Sequence, residues 1–137
     1  MQPTILINID VDDLDRAVAF YTKLLHVSIG RRFGAAGVEL VGAGSPIYLL
    51  VKQSDTPASA ASGERRRYGR HWTPVHLDFV VPDLEAAVAG AIAAGATQDS
   101  APQTHTWGKI AHMADPFGHG FCLIQFVGRG YDEVATT

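Results

Sequence analysis

The sequence predicts an α+β fold built of two tandem βαβββ modules. Three observations lead there. First, Asp13-Leu14-Asp15-Arg16-Ala17-Val18-Ala19 recurs as Asp83-Leu84-Glu85-Ala86-Ala87-Val88-Ala89 at an offset of 70, with five identities and one Asp/Glu exchange, and such a repeat is the first thing to settle in any reading of a fold. Second, each copy follows a short run rich in Val, Ile and Phe. Third, each copy is followed by further short apolar runs separated by glycine.

In the first half, Thr4 to Val11 alternates, with Ile5, Ile7, Ile9 and Val11 on one face and Leu6, Asn8 and Asp10 on the other, the pattern of a strand packed on one side. Asp13 supplies an N-cap oxygen, and Leu14, Ala17, Val18, Tyr21 and Leu25 form a helical stripe that ends near His26. Short strands are expected around Arg32–Phe33 and Val38–Val41, and a clearer one at Ile47 to Val51. The second half repeats the order. A strand at Val75 to Val81 precedes the break at Pro82, and Asp83 caps a helix with Leu84, Ala87, Val88 and Ala91 inward and Gly95 as its stop. Strands at Lys109 to Ala114 and Phe121 to Val127 are joined by the turn Asp115-Pro116-Phe117-Gly118. The chain is therefore read as one domain, 1–137. Module one covers about 4–52, a surface loop 53–74, module two about 75–127, and a tail 128–137 packs on the surface or on a partner subunit.

Composition limits the partners. At 137 residues, 47% hydrophobic and 18% charged, with net charge −3, the chain carries no field that would gather nucleic acid or an anionic membrane surface. Cys122 is the single cysteine, which excludes an internal disulfide and suits a reducing compartment. The longest apolar stretch, Ala86 to Ala96, is too short to span a bilayer, and Asp10 interrupts any signal-peptide core. A cytoplasmic location is expected.

The helix-opening Asp-Leu pairs, Phe20-Tyr21, and Asp115-Pro116-Phe117-Gly118-His119-Gly120-Phe121-Cys122-Leu123 together resemble the vicinal oxygen chelate superfamily. That superfamily includes glyoxalase I, extradiol dioxygenases, methylmalonyl-CoA epimerase and the bleomycin-resistance proteins. The resemblance covers about Ile5 to Phe126 and implies modules curved around a shared cup, commonly completed across a homodimer. Independently of the family, alternation puts Leu6, Asn8 and Asp10, and likewise His76, Asp78 and Val80, on the face away from the helix. Polar groups there need a partner, a ligand, a metal or water.

The resemblance also implies four metal-ligand positions. They fall on Leu6 and His76 in the first strands, on Cys122 in the last strand of module two, and near Leu49 in module one. Leucine has no lone pair to donate, and catalytic divalent sites need about three protein ligands. No metal and no other cofactor is therefore expected; the fallback is a divalent ion on His76 and Cys122, with Asp78 beside them.

The remaining candidates each have two readings. His76 is a site residue or a core histidine bonded to Asp78. Asp78 is an orienter or base, or a carboxylate paired with an arginine. Cys122 is a small buried hydrophobe or, given a nearby base, a nucleophile. His112 faces the cup or completes a hydrogen bond. Trp72, Tyr48 and Phe33 stack on a planar ligand or serve the core. Arg65, Arg66, Arg67 and Arg70 close over an anion or form a solvated loop, and His105 and Trp107 lie in a loop that could cover the cup mouth.

The expectation is a metal-independent small-molecule binding protein, a homodimer whose cup is lined by Leu6, Asn8, Leu49, His76, Asp78, His112 and Cys122, rather than an enzyme. Its alternative is a glyoxalase-like lyase, isomerase or dioxygenase. That enzyme would use a relocated divalent metal, or His76 and Asp78 as catalytic acid and base. A structural dimer with a vestigial cup is the third reading.

Overall fold

The computed structural model describes residues 1–137 and divides into two compact units, Met1–Gly69 and Arg70–Thr137. The first contains β1 (Ile7–Val11), α1 (Leu14–Leu25), β2 (Ser28–Arg32), β3 (Gly37–Val41) and β4 (Ile47–Val51). Its sheet runs β1-β4-β3-β2, with β1 parallel to β4 and the other pairs antiparallel. Asp13 caps α1 by accepting the Arg16 N–H at 3.1 Å, and His26, in the left-handed region at φ 54°, ends it. The buried stripe is Ala17, Phe20, Tyr21 and Leu24. It is rotated from the expected one because the large Phe20 ring turns inward, edge-on to Tyr21 at 4.9 Å, leaving Val18 and Leu25 half-buried. The second strand begins at Ser28, ahead of the expected Arg32–Phe33. An irregularity between Ile29 and Arg32 hides its period-2 pattern.

The second unit contains β5 (Leu77–Val80), α2 (Leu84–Ala93), β6 (Thr97–Gln98), β7 (Gln103–His105), β8 (Gly108–Ala114) and β9 (Gly120–Phe126). Its sheet runs β5-β9-β8-β6, and β7 also pairs with β8. Asp83 caps α2 through the Ala86 N–H. At the other end Gly95, at φ 114°, lets the Gly95 and Ala96 N–H groups reach back to the Ile92 and Ala91 carbonyls, a Schellman stop. β6 and β7 are one interrupted edge strand, broken before Pro102, which has no N–H to donate. Their exposed polar residues carry no alternation, so the sequence does not announce them. The fold is thus α+β, βαβββ twice, with the second strand of module two split.

His105 and Trp107 do not form a mouth-covering loop. His105 lies on β7, and Trp107, in the turn after it, stacks on His105 at 5.1 Å and meets Phe126 and Tyr131. Tyr131 belongs to the short 3₁₀ turn Gly130–Glu133, so the tail packs on the Phe126 end of β9, roughly 20 Å of strand from Gly120. Between Gln53 and Pro74 there are no helices or strands, only isolated bridges at Pro57–Arg65 and His71–His119. Three of the four loop arginines are tied down: Arg65 to Asp55, Arg66 to Asp10, Arg70 to Asp99. No helix is long and apolar enough to cross a membrane.

Candidate functional site

Strand parity decides which side chains share a face. In the second unit, Gln125 accepts the Leu84 N–H at 2.8 Å and Lys109 meets Glu85 at 3.2 Å, so the face of Gln125, Leu123, Phe121 and Phe79 is the one under α2. The other face is open. Asp78 pairs with Cys122, and His112 pairs with Cys122 from the other side; His76, two residues before Asp78, shares that face. Four of the sequence-predicted site residues therefore meet on one surface. The His76 Nε2 lies 3.2 Å from Asp78 Oδ1, and the donor atoms of His76, Asp78 and Cys122 lie within 4.8 Å of one another. Asp78 has no arginine among its partners here; they are an imidazole and a thiol.

Cys122 is 1% exposed. Burial, then the Asp78 charge and the thiol's hydrogen bond to that carboxylate, push it up to about 12, which keeps it a neutral thiol at physiological pH. In folded protein at pH 8, Cys122 is expected to resist a disulfide exchange reagent and to react stoichiometrically once urea unfolds the chain. Rapid labelling of folded protein would contradict this placement.

Trp72 lies over this face. Its ring is 4.7 Å from His76 and 5.9 Å from His112, with the Arg70 guanidinium 5.6 Å from its centroid. Gly120 makes room for it: a Cβ there would fall within the Trp72 ring envelope and 3.0 Å from Arg70 Nη1. Arg70 is anchored through Nε to Asp99 Oδ1 at 3.1 Å and by a second bond to Oδ2, which holds Asp99 below the usual carboxylate range. Gly120→Ala is therefore expected to lift Trp72 and red-shift its fluorescence, an unchanged spectrum being the contrary result.

The first unit differs on its corresponding face. β1 and β4 pair Asn8 with Tyr48 and Ile9 with Leu49, so Leu49, fully buried, sits on the side under α1 with Ile9 and Val38. The expected cup position near Leu49 is corrected. A count from sequence lands one residue off, and one residue in a strand reverses the face. Tyr48 is the counterpart of Cys122, because Asn8–Tyr48 repeats Asp78–Cys122 at the offset of 70 in the first strand. Leu6 precedes β1 and is exposed, as is Asn8; Asp10 is half-buried against Arg66.

Tyr48 is engaged. Its hydroxyl donates to Glu39 Oε2 at 2.8 Å, and Arg31 grips the same carboxylate with Nε at 3.0 Å, Nη2 at 2.7 Å and its backbone N–H at 3.0 Å. Gly30 is needed here because a Cβ would lie 2.6 Å from Glu39 Oε1. The Arg31 side chain, its N–H and the Tyr48 hydroxyl hold Glu39 at about 2, against an ordinary value of 4.5. A depressed carboxyl contributes stability that is present above its ordinary range and is lost as pH falls toward its folded value. Acid unfolding between pH 4.5 and 2 should accordingly be less steep in Glu39→Gln, as read by circular dichroism. The trio escapes sequence reasoning, although Glu39 inside the apolar run Val38-Glu39-Leu40-Val41 was the available signal.

The comparisons agree with this fold. An uncharacterised protein of Mycobacterium bovis is 31% identical over 98% of this chain and 91% of its own length. Among solved structures, the genomically encoded fosfomycin resistance protein FosX of Listeria monocytogenes aligns with a TM-score of 0.69 at 16% identity, covering 93% of this chain and 95% of that one. TioX of Micromonospora sp. ML1 aligns with a TM-score of 0.67 at 18% identity, covering 92% and 100%. The glyoxalase-like domain family matches residues 6–124, a span that runs through both repeats and ends just past Cys122; the chain belongs to that family, within the vicinal oxygen chelate superfamily.

Proposed function

We propose that the protein binds a small organic molecule on the open face of the second module, without a metal. The observation that carries this is the convergence of His76, Asp78 and His112 on one sheet face beside Trp72. A planar ligand gains area against the exposed part of the indole, and two imidazoles and a carboxylate give it donors and acceptors. The ligand would be met by a second copy of the chain only if the protein is a homodimer, which light scattering in solution decides.

The family's metal set is a poor match to these residues. Leu6 offers no lone pair, and Tyr48 holds Glu39 and Arg31 rather than facing an ion unengaged. A second reading rests on the 4.8 Å cluster of His76, Asp78 and Cys122: three donors that could hold a soft divalent ion if Cys122 lost its proton to it.

The test is a compound screen by thermal shift, since a ligand that prefers the native state raises the melting temperature, by about 2.7 kcal/mol of stability at a hundred times its Kd. A hit should lose its shift in His76→Ala and in Trp72→Ala. A shift unaffected by both would place the ligand elsewhere, and turnover of the compound would make the protein an enzyme using the His76–Asp78 pair.

A further inference from the structure

Arg70 to Pro74 crosses the open face of the second module as a strap, and its attachment is unusual. The His71 N–H donates to the Gly118 carbonyl at 2.9 Å, and His71 forms an isolated parallel bridge with His119. The two imidazoles also meet, His119 Nδ1 against His71 Nε2 at 3.0 Å, edge to face with centroids 4.9 Å apart. The next residue after His71 is Trp72, which lies over Gly120 and against His76 and His112.

We propose that the His71–His119 pair is an acid-sensitive latch that holds the Trp72 strap closed over the proposed binding face. A bond between two ring nitrogens needs one donor and one acceptor. It survives with no added proton and with one, because an imidazolium still donates to a neutral ring. It fails with two, when neither ring has a lone pair to offer and both carry positive charge. Closure therefore holds at neutral pH and is lost as pH falls, in the range where imidazoles take up protons. The sign follows from linkage: the open strap binds more protons than the closed one, so acid favours it.

The surrounding charges set the balance. On the strap, Arg70 donates to the His71 carbonyl and is matched by Asp99. From the turn, Asp115 Oδ1 accepts the Phe117 and His119 N–H groups at 2.8 and 2.9 Å, a negative charge near His119. On the sheet, His76 and His112 flank Trp72, with Asp78 against His76. The second proton on the pair is the one that opens it.

The strap responds to pH without ligand, so its test stands apart from that of binding. In a Trp107→Phe background, Trp72 is the only indole, and its acrylamide quenching can be read at pH 8 and pH 5. The quenching constant should rise about twofold or more at pH 5 as the strap opens locally. In His119→Gln, whose amide keeps a donor and an acceptor but takes no proton, the constant should stay at its pH 8 value. His71→Gln on the same background gives the same result and serves if the first variant misfolds. A rise that persists in both variants and disappears in His76→Gln assigns the response to the ring beside Trp72 and overturns the latch; so does the absence of any rise.

Discussion

Leu49→Ala is expected to lower unfolding stability by about 2–5 kcal/mol, the range for truncating a buried leucine. Leu49 is fully buried, on the face of β4 turned toward α1, and Val38 and Ile9 are its partners on the neighbouring strands. The cavity left by alanine is enclosed by sheet on one side and helix on the other, so little can collapse into it. Leu50→Ala, one residue on and half-buried on the open face, should cost clearly less. Urea denaturation of the two variants reads the difference directly. Similar midpoints for both, or a larger loss for Leu50→Ala, would mean that Leu49 does not face the helix.

Phe117→Ala should cost about 3–5 kcal/mol. Phe117 is fully buried at the centre of the turn between β8 and β9, where Asp115 Oδ1 fixes the Phe117 and His119 N–H groups and the Gly118 N–H returns to the Asp115 carbonyl at 3.1 Å. The ring roots a turn that also carries the strap's attachment. Its loss should lower the urea midpoint and raise the exposure of Trp72 together. A midpoint shift smaller than about 1 kcal/mol would show a turn held by its hydrogen bonds alone.

The repeat at an offset of 70 and the two Asp caps made both βα units legible, because caps and helical stripes are local signals. The open face of module two was legible as well. His76 and Asp78 follow from period-2 alternation, Cys122 stands where the family resemblance put it, and His112 was open between the cup and a plain hydrogen bond until its pairing with Cys122 placed it on the same face. Module one was less so. No Asp-Pro turn pins β4, so Leu49 was expected where Tyr48 stands, and the one-residue slip exchanged a core leucine for a phenol in an ion-pair network. β6 and β7 lacked pattern because their residues are exposed and polar, and their pairing comes from β8. Contacts between residues far apart in the chain, such as Arg31 with Glu39 and Tyr48, or His71 with His119, exist only once the strands are in register.

The most direct test of metal-free binding is elemental analysis of protein purified without chelator, coupled to thermal-shift titration with Zn²⁺, Ni²⁺, Mn²⁺ and Fe²⁺. The expected result is substoichiometric metal and no stabilisation by any of the four ions. One equivalent of metal per chain, with stabilisation abolished by His76→Ala, would contradict it and make His76, Asp78 and Cys122 a metal centre.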